Sequence, residues 1–200
     1  MTRTEEVPAV EPLRDRRRRL LRADIEHVAM RMFLDRGYDA VSVDDIAAEV
    51  GMSARTFFRY YATKDEVLRG YQRGLNDALV AAFAAQPTST SAVAALRAAY
   101  LTTSHVAPAE RDRVRALGRL LATAPAVHAR AVGESLLDER LEAEFARRSR
   151  ARRGDQRPAV VVAAIAAAAT VGWNRWVARD DARDPAAAVA AAIDVLGLSD

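Results

Sequence analysis

Apolar residues recur at helical spacing along most of this chain, and the pattern is clearest between residues 25 and 68. Ile25, Val28, Ala29, Met32 and Phe33 fall at i, i+3, i+4, i+7 and i+8, one face of a helix. Gly37 follows as a stop, because glycine turns left-handed without steric cost. Ser42 is placed to cap a second helix, with Asp44 and Asp45 at the positive end of its dipole. Val43, Ile46, Ala47 and Val50 form its buried stripe. Gly51 ends that helix, and Ser53 caps a third one almost at once. Two short helices joined by a tight glycine turn make the geometry that lays the second in a major groove of DNA.

The third helix divides by side. At about 100° per residue, Ala54, Phe57, Phe58 and Tyr61 gather on one face, expected to pack on the first two helices. Arg55, Thr56, Arg59 and Tyr60 gather on the other. An arginine pairs bidentately with guanine O6 and N7, and a threonine offers a methyl to thymine and a hydroxyl to base or phosphate. Arg55 and Arg59 lie one turn apart and reach the same groove. The plain alternative is a solvated helix with two surface arginines. The glycine turn and two capping residues in register favour the reading helix.

These residues resemble the DNA-binding domain of the TetR family of bacterial transcriptional regulators. The matching positions run from Ile25 and Ala29 through Phe33 and Gly37 to Ser42-Val43-Asp44-Asp45-Ile46-Ala47. They continue with Gly51-Met52-Ser53, Thr56-Phe57-Phe58-Arg59-Tyr60-Tyr61 and Lys64-Asp65-Glu66-Val67-Leu68. The resemblance implies base contacts around Thr56, assigned here to Arg55, Thr56 and Arg59, and phosphate contacts at Ser42, Tyr60 and Lys64. Lys64 is the only lysine among thirty Lys+Arg. The family commonly has tyrosine where this chain has Phe58, so a phosphate-bonding hydroxyl is missing there.

Beyond residue 63 the chain continues to read as helix. A fourth helix is expected over Lys64 to Ala84, with Val67, Leu68, Tyr71, Leu75 and Leu79 as a stripe joining two halves. The run Pro87-Thr88-Ser89-Thr90-Ser91 is a loop and cap, and a fifth helix reaches about His105. A sixth spans about Ala109 to Thr123, and a seventh runs from Pro125 into the arginines at 147–153. An eighth covers about Ala159 to Arg179, and Asp184-Pro185 opens a ninth toward Leu196. The expected fold is all-α, with about nine helices in three parts. Residues 1–12 form a disordered tail, 13–63 a helix-turn-helix domain, and 64–200 a ligand-binding and dimerisation domain.

Composition narrows the class. The 200 residues contain no cysteine, which removes disulfide frameworks and thiolate metal sites and fits a cytoplasmic protein. No signal sequence is evident, and the longest apolar run, 159–173, is shorter than the roughly 20 residues of a membrane span. A net charge of +3 is small, so location matters more than total. Residues 14–22 hold six arginines and one acid. Arg16, Arg17, Arg18 and Arg19 are read as an arm preceding the first helix and reaching phosphates; solvated first turns of that helix are the alternative. No catalytic constellation stands out, since His27, His105 and His128 are scattered and no phosphate-cradling glycine loop occurs. No cofactor and no metal are expected.

The last two helices are rich in small residues. Val161, Ile165 and Ala169, then Val189, Ile193 and Leu196, are read as the surface of a homodimer, as in TetR-like proteins; burial within one subunit is the alternative. A dimer predicts a palindromic operator, with half-sites about 34–36 Å apart. The resemblance further implies a small-molecule effector bound among helices five to eight, with Tyr100, His105, Arg119, His128, Trp173 and Trp176 as candidate lining. The second half also resembles an actinobacterial subgroup linked to acyl-thioester-like ligands. Arg119, set among apolar neighbours, is expected to meet a ligand or an acid such as Glu134 or Glu139. The arginines at 147–153 read as a solvated linker. The sequence thus describes a ligand-released repressor, with a non-specific DNA-packaging protein as the alternative.

Overall fold

The computed structural model describes residues 12–122, 139–179 and 183–198, and shows nine α-helices and no strand among them. They are α1 (Leu13–Arg36), α2 (Val43–Val50), α3 (Ala54–Phe57), α4 (Lys64–Ala84) and α5 (Ala92–Ser104). A short 3-10 turn (Pro108–Glu110) leads into α6 (Arg111–Ala122), followed by α7 (Glu139–Ser149), α8 (Arg157–Ala178) and α9 (Pro185–Asp194). The expected tail at 1–12 lies almost wholly outside the described residues, as do His128, Glu134 and the first part of the seventh helix.

Capping side chains start these helices, at expected positions except for Thr63. Ser42 and Asp45 form a reciprocal capping box on α2, Ser53 accepts from Thr56 N on α3, and Thr63 accepts from Glu66 N on α4. Ser91 and Asp184 cap α5 and α9 in the same way. Gly51 sits at φ 81° and ψ 33°, the left-handed geometry that lets α2 turn into α3.

Two apolar cores meet along α4. The first gathers Ile25, Ala29 and Phe33 of α1, Ile46 and Ala47 of α2, Phe57 and Tyr61 of the segment 54–61 that comprises α3 and the turns after it, and Val67 and Leu68 of α4. The second gathers Leu79 and Phe83 of α4 with α5, α7, α8 and α9. The first core also holds Leu117, from α6 in the second half of the chain. The N-terminal half is therefore braced by α6 as well as by α4.

Three expectations are corrected here. The arginine run is no arm: Arg16, Arg17, Arg18 and Arg19 lie on the first turns of a 24-residue α1. The dimer residues Val161, Ile165, Ala169, Val189 and Ile193 are buried in the subunit's own core, because α8 and α9 turn these faces toward α5 and each other. Of the six, only Leu196 is exposed. Finally, α8 is 22 residues long, so by length and composition it passes as a membrane span, contrary to the apolar run alone. Nine of its residues, including Val162, Ile165 and Trp176, are instead buried by packing.

Candidate nucleic-acid interface

The reading segment is shorter and tighter than a regular helix. α3 proper covers four residues, and the chain continues in tightened turns, with Arg59 N bonding Thr56 O and Tyr60 N bonding Phe57 O. Phe57 and Tyr61 are fully buried against α1 and α2 and fix the segment's inner face. Phe58 does not join them: it is 55 % exposed, because it lies at the edge of the apolar arc nearest Arg55.

Arg55 and Arg59 are exposed, and neither side chain is engaged in a hydrogen bond or ion pair among the described residues. Thr56 is half-buried, and its hydroxyl lies 3.0 Å from that of Ser53. Ser42 donates its hydroxyl to Asp45 Oδ2 at 2.6 Å. That bond and a second from Ser42 N hold the Asp45 carboxyl below its ordinary pKa. Ser42 is thus a capping group first and Thr56 is paired with one, and a phosphate or base would have to share their hydroxyls.

Lys64 is similarly committed. Its Nζ donates to Tyr38 O at 2.8 Å and Val41 O at 3.2 Å, and lies 4.2 Å from the centre of the Tyr38 ring. Tyr38 in turn donates to Asp65. This lysine closes the loop between α1 and α2 onto the start of α4, and of its three N–H groups one is left for a phosphate.

Arg22 anchors the other end of the segment. Its Nη2 donates to Tyr60 O at 2.9 Å, and its guanidinium lies 4.8 Å from the centre of the Tyr61 ring. N-terminal to it, α1 runs beside the reading segment. A cavity of about 890 Å³ between them is lined by Arg14, Arg17, Arg18, Leu21, Arg59 and Tyr60, among others. A second, of about 420 Å³, lies between α1 and α4 and is lined by Arg18, Arg19, Arg22, Glu26, Tyr61 and Arg73, among others. Four consecutive helical arginines must point to different sides at about 100° per residue. The structure sorts them: Arg17 and Arg18 border Arg59 and Tyr60, Arg19 faces α4, and Arg16 borders neither cavity. Arg14 joins the first group and was missed in the sequence, although its spacing to Arg17, Arg18 and Leu21 is one helical face.

The candidate ligand residues are not gathered in this way. Tyr100 is buried in the second core. The His105 Nδ1 lies 2.5 Å from Asp184 Oδ2, at the cap of α9. Trp173 and Trp176 stack obliquely with centroids 5.3 Å apart, and the Trp176 Nε1 donates to Arg183 O at 2.8 Å. Arg119 is exposed and donates to Val177 O at 3.3 Å rather than to Glu139. The buried arginine of α6 is its neighbour one turn back, Arg115, which is 4 % exposed and lies 4.6 Å from the centre of the Trp176 ring. Among the arginines at 147–153, Arg148 is not solvated linker. It donates to Phe83 O, Gln86 O, Pro87 O and Thr90 O, and so caps the end of α4 from α7.

A capped short helix turning at glycine into an exposed, arginine-bearing one, beside a basic first helix, defines a helix-turn-helix DNA-binding regulator. Residues 25–71 match the sequence model of the bacterial regulatory proteins of the tetR family, and residues 90–198 match that of the MftR C-terminal domain. The chain is 31% identical over 189 residues to the HTH-type transcriptional regulator TcmR of Streptomyces glaucescens, covering 89% of this chain and 82% of that one. It is 31% identical over 190 residues to the putative mycofactocin biosynthesis transcriptional regulator MftR of Mycobacterium tuberculosis (strain ATCC 25618 / H37Rv), covering 91% and 92%. The protein belongs to the TetR family of bacterial transcriptional regulators. The same fold occurs in the Thermus thermophilus repressor FadR, crystallised with lauroyl-CoA, at a TM-score of 0.57 and 23% identity over 88% of this chain and 92% of that one. It occurs also in the regulator PfmR of Thermus thermophilus, at a TM-score of 0.50 and 20% identity over 94% and 96%.

Proposed function

We propose that this regulator is a cytoplasmic homodimeric repressor that holds a palindromic operator until a small molecule releases it. The observation that carries the DNA reading is the pair Arg55 and Arg59, exposed without ionic partners on the outer face of the reading segment. Arg55 and Thr56 meet base edges. Arg59 reaches the groove floor or its wall, and Arg14, Arg17, Arg18, Tyr60 and Lys64 hold phosphates along one strand. Arg19 and Arg16 point elsewhere on α1 and contribute longer-range attraction.

Dimerisation then uses what the subunit core leaves outside. Val160, Ala167 and Val171 on α8, and Ala187, Ala191 and Val195 along α9 and its C-terminal cap, are exposed at helical spacing and form an apolar face with small side chains. The effector is proposed to be an acyl thioester, which the lauroyl-CoA bound to FadR supports. It would act by preferring one arrangement of α4 relative to the second core.

Fluorescence anisotropy with the gene's own upstream DNA against scrambled DNA, at several salt concentrations, tests the regulator reading. A preference of about 10³-fold or more is expected at physiological salt. Equal, steeply salt-dependent binding to both would favour the non-specific packaging protein. Release by lauroyl-CoA in the same cuvette tests the effector class, and sedimentation of Val171→Arg against the native chain tests the dimer face.

A further inference from the structure

Phe58 stands out on the reading surface because the described residues leave more than half of it uncovered. Its neighbours Phe57 and Tyr61 are 0% and 1% exposed, whereas Phe58 leaves 55% of its surface in solvent. The backbone bond from Phe58 N to Ala54 O, 2.9 Å, keeps it in α-helical register, so it stands one turn beyond Arg55 on the same side. The ring is also oriented. It meets the buried Phe57 ring edge-on at 6.0 Å and 90°, so its direction is set from below. Arg55 and Arg59, both exposed, flank it in sequence.

An exposed apolar ring on the same short segment as two exposed cations calls for an occupant that is anionic overall and apolar at one point. The major groove of DNA meets both conditions. Its walls are phosphates, and the largest apolar group on its base edges is the C5 methyl of thymine. Paired bases present their edges to the groove rather than their faces, so stacking on the phenyl is not available in an undistorted duplex. Phe58 carries no hydroxyl and forms no hydrogen bond to a phosphate. We infer that Phe58 is a specificity-determining residue that reads the C5 methyl of a thymine adjacent to the base contacted by Arg55. The inference rests on the regulator reading above and adds a base-specific contact to it.

The test uses duplexes enriched from a random pool by the full-length protein, with each thymine in turn replaced by uracil in both half-sites. Uracil pairs identically and lacks only the methyl. Binding is measured for the native chain, Phe58→Ala and Phe58→Leu. At one symmetry-related position, uracil is expected to weaken native binding roughly fourfold per half-site. There Phe58→Ala should be indifferent to the replacement, and Phe58→Leu should keep part of the discrimination. Thermal unfolding checks that the variants are folded, as expected for a residue that is more than half exposed. The inference is overturned if uracil affects native and Phe58→Ala proteins alike at every position, or if the enriched sites share no thymine. Failure to enrich any sequence would be a different result: it would overturn the regulator reading itself.

Discussion

The hydroxyl of Tyr61, at the end of the reading segment, donates to the carboxylate of Glu26 in the middle of α1. Gly70 of α4 passes directly over this pair, and a Cβ there would overlap both groups. Three elements are thus held together at one polar contact inside an otherwise apolar junction. Burial raises the Glu26 pKa, against the lowering effects of the Tyr61 bond and of Arg73 and Arg22, while Asp77 adds to the rise. Burial and the Glu26 partner also push the Tyr61 phenol up.

The direction of that shift sets a pH dependence. The folded-state pKa of Glu26 lies above its ordinary 4.5, so protons bind more tightly to the folded chain. Its favourable contribution is complete below the unfolded value and is lost as pH rises through the folded value. Urea unfolding of Glu26→Gln should therefore gain on the native chain from pH 4.5 toward neutrality. A difference that stays constant with pH would show that Glu26 ionises without penalty.

Gly172 governs how closely α8 and α9 approach. A Cβ at this position would lie 2.6 Å from Ala188 O and 2.7 Å from Val189 Cα, both backbone atoms that cannot rotate away. Gly172→Ala should destabilise the subunit by about 1–3 kcal/mol, despite alanine's better helix propensity. Gly74→Ala meets nothing within 4 Å and should instead be neutral or gain about 0.5–1 kcal/mol. Thermal unfolding of the two variants separates packing from propensity.

Lys64 and Arg55 should fail in different ways. Arg55→Ala removes a side chain with no partner among the described residues, so it should cost about 1–3 kcal/mol of operator affinity, relax preference at one position and leave stability unchanged. Lys64→Ala opens two backbone carbonyls, Tyr38 O and Val41 O, so it should lower stability by about 1–2 kcal/mol as well as weaken all DNA sequences alike. Paired measurements of unfolding and of binding against salt distinguish these outcomes.

Arg148→Ala is expected to destabilise the chain by about 2–3 kcal/mol, since it removes the donor to Gln86 O just beyond α4, weakens the bonding of Phe83 O and uncovers the Phe83 ring. Arg152→Ala, in the same basic cluster but exposed, should change stability by less than about 0.5 kcal/mol. Denaturant titration of both variants provides the comparison.

The sequence displayed the reading head well, because its information is local. Ser42, Ser53, Gly37 and Gly51 act on residues within four positions of themselves, and each holds the place its spacing implied. The helices of the second half were legible for the same reason: Ser91 and Asp184 cap where expected. What stayed hidden depends on contacts distant in sequence. The faces of α8 and α9 are alanine-rich almost all round, so periodicity alone did not separate the buried Ile165 from the exposed Ala167. Leu117 enters the first core from 84 positions beyond Phe33, and no local signal announces that. Arg148 was hidden by its company: five arginines in seven residues read as solvent, and only the folded chain shows which one finds four carbonyls. Phe58 was misread because a four-residue helix at 100° per residue leaves its edge positions ambiguous.

The 21 residues of α4 run from one apolar core into the other without a break. Such a shaft is about 31 Å long, so a tilt of only about 10° at the Phe83 end would carry the Lys64 end through about 5 Å. That exceeds the rise of one base pair, about 3.4 Å. In a symmetric pair both reading heads would swing, and the errors would add. In such a pair a ligand would need to melt nothing to put the two heads out of step with the pitch of DNA; a modest change of angle, amplified by leverage, would be enough.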